Sequence, residues 1–515
     1  MDLLEIRLAV AVHLDLSDLA VCVQVCREWH RTFVPFLYEV LICHPLPIYN
    51  HYIPREEYFF GQDCTPGTSS DDGPSIYLTD KAYHDEFERA KPPPAVSLLR
   101  YGTHVRELDL IMPVPSLYSL AGSAKEIRTL SLQAPTKDDE EWTSYYREEV
   151  EQLLDRNNHL RHLDLSCFDG SATSRHLDIF KKKTSCLLLE EIWLEESAID
   201  IVKLVAVIQD CPRLSKLFVI NCVLTSDGDE ELFPEGESLF PRIEQLELEH
   251  NVGISLTGEL NWIVRCPSLR ELSWNPKKTM WYDATVDMSP LQQCPDLFSL
   301  TLGIDSLEDR DLAGVFENCL NLTDLTLMGG RIGNEAFGSL TYRFHKLTSL
   351  NIFECCLESW MHWRILRSCS SLVEFSGCVL EMTGIMDGDC ISDSDSWACE
   401  QSLRRLDLES VIWSKEDASG SNRMMKQLGT LSRLEILTIN YVLFERNDNF
   451  VKTSLFGEVQ VPENLPWKNG RFERWDLEQD DDMRWMTEMW PHLETFTYVG
   501  SGGSLWRPPS SSDHL

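Results

Sequence analysis

The stretch Cys319-Leu-Asn-Leu-Thr-Asp-Leu-Thr-Leu327 decides the fold of this chain. It reads leucine, two variable residues, leucine, one variable residue, leucine, with a cysteine three residues ahead. In a β-strand successive side chains point to opposite faces, so Leu325 and Leu327 share one face while Asp324, Thr326 and Met328 share the other. A single strand of this kind cannot bury its apolar face, so the pattern requires neighbours that repeat it.

The neighbours are present. The same three anchors recur at Val105/Leu108/Leu110, Ile127/Leu130/Leu132, Leu160/Leu163/Leu165, Leu189/Ile192/Leu194 and Leu214/Leu217/Val219. They continue at Ile243/Leu246/Leu248, Leu269/Leu272/Trp274, Leu297/Leu300/Leu302 and Leu347/Leu350/Ile352. Looser copies stand at Leu372/Phe375, Leu403/Leu406/Leu408, Leu434/Leu437/Ile439, Phe472/Trp475/Leu477 and Leu493/Phe496/Tyr498. Fourteen steps of about 28 residues separate Val105 from Leu493, within the range of leucine-rich repeats. Cys186, Cys211, Cys266, Cys294, Cys319 and Cys369 each lie three residues before a first anchor, where a small apolar side chain suits a tight helix-to-strand turn. Segments such as 311–318 supply a short outer helix. The expected fold class is α/β, a horseshoe of about fifteen repeats over residues 101–499, with parallel strands on the concave face and helices on the convex face.

Composition sets the chemistry of partners. The 515 residues carry 83 Asp and Glu against 46 Lys and Arg, a net charge of −37. Such a chain repels nucleic-acid phosphates and anionic membrane surfaces and favours a basic protein partner. Its 17 cysteines include no Cys-x-x-Cys pair and many fall in repeat positions, which favours buried apolar thiols over disulfides or zinc. The first residues carry acids and no long apolar run, so neither a signal peptide nor a membrane span is expected. A cytoplasmic or nuclear setting follows as the expectation.

Ahead of the repeats, residues 1–44 form a compact helical pattern. Leu19, Cys22, Val23 and Cys26 fall at helical spacing with Trp29 next, and Phe33, Phe36, Leu37 and Val40 extend the stripe past Pro35. Leu3-Leu-Glu-Ile6, Leu14, Leu19, Val25-Cys-Arg-Glu-Trp29 and Phe36-Leu-Tyr38 resemble the F-box pattern, with Leu4 where that pattern carries proline. The repeats, in turn, resemble the cysteine-containing leucine-rich repeats found behind F-boxes. The resemblance implies a module that docks a Skp-family adaptor and so joins a cullin–RING ubiquitin ligase of the SCF type. Its adaptor contacts would be Leu4, Ile6, Leu14, Leu19, Val25, Cys26 and Trp29. Residues 45–100 read as a linker with a flexible loop and a short helix, and 500–515 as a disordered C-terminal tail.

No catalytic motif stands out: Gly-x-Ser-x-Gly, His-Glu-x-x-His and a Gly-Lys-Ser/Thr loop are absent from the sequence. Asp387 to Asp395 fails the calcium-loop pattern at three required positions and reads as an acidic loop. No enzyme activity, cofactor or metal site is expected. The informative surface is the concave face, whose variable strand positions carry fourteen carboxylates against three bases, Lys216, Arg405 and Arg474. Trp193 and Phe218 stand there on adjacent repeats, about 4.8 Å apart if the strands pair. Ringed by Glu191, Glu195, Glu247 and Glu249, they are the substrate-binding candidates. The expected function is a substrate-recognition subunit that holds a protein substrate with a basic surface. The alternative is a stoichiometric binder, since acidic, cysteine-rich horseshoes resembling ribonuclease inhibitor capture basic proteins with no ligase.

Overall fold

A computed structural model describes residues 7, 10–11, 13–14, 16–37, 40–43, 100–111, 121–134, 147–168, 170–181, 187–225, 240–277, 287–305, 307–353, 355–381, 397–413, 427–446, 449–451, 492, 495–498 and 504–506. The chain divides into two compact units, residues 1–214 with 221–232, and residues 215–220 with 233–515.

The first unit opens on two helices, α1 (Leu16–Val25) and α2 (Arg27–Leu37), which break at Cys26. Ala11, Leu19 and Phe33 form a small buried core, with Leu14, Cys22, Val23, Trp29, Phe36 and Leu37 packed around it. The module is tied to the start of the repeats through His30, whose ring nitrogens meet the Val23 carbonyl at 3.1 Å and the Tyr101 hydroxyl at 2.9 Å. The next element departs from the sequence reading. Val40, expected to extend the helical stripe, begins strand β1 (Val40–Cys43), because Val-Leu-Ile-Cys is an apolar, β-branched run better suited to a sheet. Strand β1 pairs in parallel with β2 (Glu107–Ile111), so the proposed linker of 45–100 runs between two neighbouring strands; residues 44–99 lie outside the described residues. The ladder continues through β3 (Thr129–Gln133), β4 (His162–Ser166) and β5 (Glu191–Glu195), all parallel. Helices α3 (Arg147–Arg156), α4 (Gly170–Lys181) and α5 (Ile201–Asp210) belong to the same unit. Ala198–Asp200 and Val223–Thr225 add a short parallel ribbon.

In the second unit β6 (Lys216–Ile220) pairs with β7 (Gln245–Glu249), and β8 (Glu271–Asn275), β9 (Ser299–Gly303), β10 (Asp324–Met328) and β11 (Ser349–Asn351) follow in parallel register. Leu325 stands opposite Leu300 and Leu350, as identical repeats require. In β10 the burial alternates, with Leu325 and Leu327 buried and Asp324, Thr326 and Met328 half-buried. Each fully buried leucine contributes about 2 kcal/mol. Helices α6 (Leu256–Ile263), α7 (Asp309–Asn318), α8 (Asn334–Thr341) and α9 (Ser359–Ser368) bury one stripe each, in α7 Leu312, Val315 and Phe316. Neighbouring helices are stapled: the Asp309 carboxylate of α7 accepts from the Gly333, Glu335 and Ala336 amides at 2.8, 3.0 and 3.2 Å, capping α8.

The cysteine phase marks the turns as expected. Cys211, Cys319 and Cys369 are the C-terminal caps of α5, α7 and α9, and each is buried. Burial pushes the Cys319 thiol up to about 12 and the Cys294 thiol to about 11, so both stay protonated and unreactive. Cys186 lies outside the described residues.

The later strands lengthen. β12 (Glu374–Glu381), β13 (Arg405–Trp413) and β14 (Ile436–Arg446) pair in parallel, and β15 (Asn449–Val451) folds back on β14 as a hairpin. Strand β14 then pairs directly with β16 (Thr495–Tyr498). The expected repeat unit at Phe472/Trp475/Leu477 lies outside the described residues. Strand β17 (Ser504–Trp506) pairs antiparallel with β16, so three residues assigned to the tail complete a sheet edge. Among the described residues no helix is long and apolar enough to cross a membrane.

Candidate functional site

The open sheet face is built from strand positions one, three and five, the residues left over once the leucines turn inward. In the first unit, β2 to β5 supply twelve such positions. Five are carboxylates (Glu107, Asp109, Asp164, Glu191 and Glu195), one is His162, and none is Lys or Arg. Neighbouring polar groups hold several of these acids in place. Asp164 accepts from Ser131 Oγ at 3.1 Å and from Ser166 Oγ at 2.8 Å. His162 Nδ1 lies 3.3 Å from Glu191 Oε2. Trp193 is half-buried, and its indole Nε1–H donates to Glu195 Oε2 at 3.2 Å, which fixes the ring along the face. Trp193 and Glu195 are thus joined directly, while Glu191, at the first open position of the same strand, is joined to His162.

The second unit corrects one candidate. Strand β6 breaks the alternation: Phe218 and Ile220, both at open positions, are 6% and 8% exposed. A buried Phe218 is not a free anchor for a partner, and an apolar pair at open positions gains more from being covered than from facing water. Glu247 and Glu249 are half-buried on β7, and Glu249 accepts from Ser273 Oγ at 2.6 Å. Farther along, Asp407 Oδ2 accepts from Ser376 Oγ and Arg405 Nε, both at 2.8 Å. Of the three bases expected on this face, Arg405 is thus engaged by a carboxylate, Lys216 is exposed on β6, and Arg474 lies outside the described residues.

A second column of residues escaped the sequence reading. Three positions after the last anchor stand Ser197, Cys222, Asn251 and Cys355, all buried. Each donates to a strand carbonyl of the preceding repeat: Ser197 Oγ to Leu165, Cys222 Sγ to Leu194, Asn251 Nδ2 to Val219 at 2.9 Å, and Cys355 Sγ to Leu327 at 3.2 Å. Two positions after the last anchor the backbone turns left-handed at Cys167, Glu196, Asn221 and His250, with φ between 49° and 64°. The signal was available, since the repeat pattern places Asn or Cys at that position. The chain is built of leucine-rich repeats.

The adaptor candidates divide. Leu4 and Ile6 lie outside the described residues. Leu14, Leu19 and Trp29 pack in or around the core of the module, with Trp29 stacked at a tilt 5.3 Å from Phe33. Val25 and Cys26 are exposed; Cys26, expected to pack, instead sits at the helix break with Sγ accepting the Trp29 amide at 3.5 Å. Two exposed valines were missed. Val10 and Val21 are 44% and 64% exposed, and Val25 59%, with Val21 and Val25 one helical turn apart on α1. The open side of helix α1 thus carries Val21 and Val25 together with the exposed Asp18.

No protein-family model matches the chain, and no curated protein does. Among solved structures it is similar to an internalin of Listeria monocytogenes at 14% identity, over 68% of this chain and 84% of that one, with a TM-score of 0.34. A leucine-rich-repeat protein of Leptospira interrogans is similar at 13% identity, over 78% and 97%, with a TM-score of 0.39.

Proposed function

We propose that this leucine-rich-repeat protein is the substrate-recognition subunit of an SCF-type cullin–RING ubiquitin ligase. In this reading the N-terminal module holds a Skp-family adaptor and the repeats hold the protein to be ubiquitinated. The chain performs no bond chemistry itself; it raises the effective concentration of substrate lysines near the conjugating enzyme. The observation that carries the reading is the open valine side of α1. Val21 and Val25 are more than half exposed on a short module whose core is already filled by other residues. An uncovered apolar helix side ahead of a repeat ladder serves a docking partner, and a simple capping element has no use for it. The acidic open face supports a substrate with a basic surface.

The competing reading, a stoichiometric binder of a basic protein, shares the acidic face and leaves the valine side without a purpose. Co-purification separates the two. Purified wild-type chain is expected to retain a purified Skp-family adaptor, and Val21→Lys/Val25→Lys is expected to lose it while keeping its fold. Failure of the wild type to bind, or equal binding by the variant, refutes the ligase reading.

A further inference from the structure

The strand-to-helix edge of the second unit carries two large aromatic residues that its core does not use. Helix α9 buries Met361, His362, Trp363, Ile365 and Leu366, and leaves Trp360, its second residue, 46% exposed. Phe353, on the turn leading into the same helix, is 41% exposed.

The Trp360 ring and the Phe353 backbone are held in place. The Trp360 indole donates from Nε1 to Glu358 Oε2 at 2.7 Å, and the other oxygen of that carboxylate meets Arg331 Nη2 at 3.4 Å. The ring of buried Phe337 meets Trp360 edge-on, with centroids 5.2 Å apart. Around Phe353 the turn is pinned to its neighbours. The Phe353 amide donates to Asn351 Oδ1 at 3.0 Å, and the Cys356 amide donates to the Gly330 carbonyl at 2.9 Å. A rigid exposed aromatic loses little rotamer freedom on binding, which is what a contact anchor requires.

The surroundings choose the partner. In sequence, 304–311, 328–335 and 352–360 carry four, one and two carboxylates against two arginines; Asp309 and Asp311 serve helix caps, and Arg331 is committed to Glu358, so Asp305, Glu308 and Glu335 are the exposed acids left beside Arg310. A second copy of this chain would bring the same acidic edge against itself. We propose that this edge is a docking surface for a segment of a protein partner that places Lys or Arg beside apolar side chains. The apolar groups would cover Phe353 and Trp360, and the cations would face the acidic turns and the indole ring. The proposal rests on the reading of the repeats as the partner-binding part and locates the anchor on their edge instead of on the open sheet face.

The test uses the full chain and three synthetic peptides, alternating Arg-Leu, Arg-Gly and Glu-Leu, titrated by fluorescence anisotropy. The wild type is expected to bind Arg-Leu at least tenfold more tightly than Arg-Gly, and to leave Glu-Leu unbound. Phe353→Ser/Trp360→Ser, with an unchanged thermal midpoint, is expected to erase the Arg-Leu advantage. A face variant, Asp109→Asn/Glu191→Gln/Glu195→Gln, is expected to keep it. If the edge variant binds as the wild type does while the face variant fails, the edge proposal falls and the acidic face stands. If neither variant loses binding, both fall. If the wild type self-associates in sedimentation and the edge variant does not, the patch belongs to a second copy and the proposal is overturned.

Discussion

Glu259 shows how far burial bends the chemistry of one side chain. It sits on α6 at 3% exposure, accepting from Trp274 Nε1 at 2.9 Å, and burial raises its carboxyl from 4.5 to about 7. The unfolded chain releases this proton near pH 4.5 and the folded chain near pH 7. Its contribution is therefore complete below pH 4.5 and is lost as the pH rises to about 7. Glu259→Gln keeps an oxygen for Trp274 and carries no charge. It is expected to unfold about 3 kcal/mol later than wild type at pH 8, with the gap closing toward pH 4.5, as read by urea titration at each pH. His362 runs the other way: burial lowers it to about 4, and its Nδ1 accepts the Val379 amide at 3.4 Å, a bond that only the neutral ring makes. That contribution is present above pH 6.5 and fades as the pH falls to about 4. Asn157 is a purely structural counterpart. It is fully buried, accepts the Ile127 amide at 2.8 Å and donates to the Ala124 and Leu153 carbonyls at 3.2 and 2.7 Å. Asn157→Ala strands those backbone groups and is expected to cost about 3 kcal/mol, seen as a lower urea midpoint.

At the scale of elements, the turns after the strands decide whether repeats can stack. Gly377 has φ +82°, and a Cβ there would meet the Phe353 backbone nitrogen at 2.4 Å. Gly377→Ala is expected to destabilise by more than about 2 kcal/mol, because the backbone has nowhere to move and the left-handed geometry resists a side chain. Thermal unfolding checks it, and an unchanged midpoint would mean that the turn is loose. The strands themselves were legible: the anchors Leu325 and Leu327 fall at the inward positions of β10, and the other described strands repeat that placement. What period alone missed has physical causes. Strand β1 lacks the repeat's spacing because its cap helices precede it, so only its β-branched composition marked it. The burial of Phe218 depends on what covers an open position, which strand alternation does not encode.

For the molecule as a whole, two surfaces share the work in this account. The repeats present carboxylates held by serines and histidine across neighbouring strands, the whole chain carries a net charge of −37, and the proposed basic partner is expected to bind more weakly as salt rises. The N-terminal module presents Val21 and Val25 to solvent on one helix and Val10 ahead of it, and the proposed adaptor binding there is expected to be insensitive to salt by comparison. The sequence pattern pointed to the module through Leu14, Leu19 and Trp29, which turn out to build it, while Val21 and Val25 are the residues left to be used. The most direct measurement is a calorimetric titration of the purified full chain with a purified Skp-family adaptor, repeated with Val21→Lys/Val25→Lys. The account predicts one-to-one binding by the wild type, with a loss of about 3 kcal/mol, roughly a hundredfold in Kd, in the variant at an unchanged thermal midpoint. No heat of binding from the wild type, or the same Kd for both chains, would contradict it.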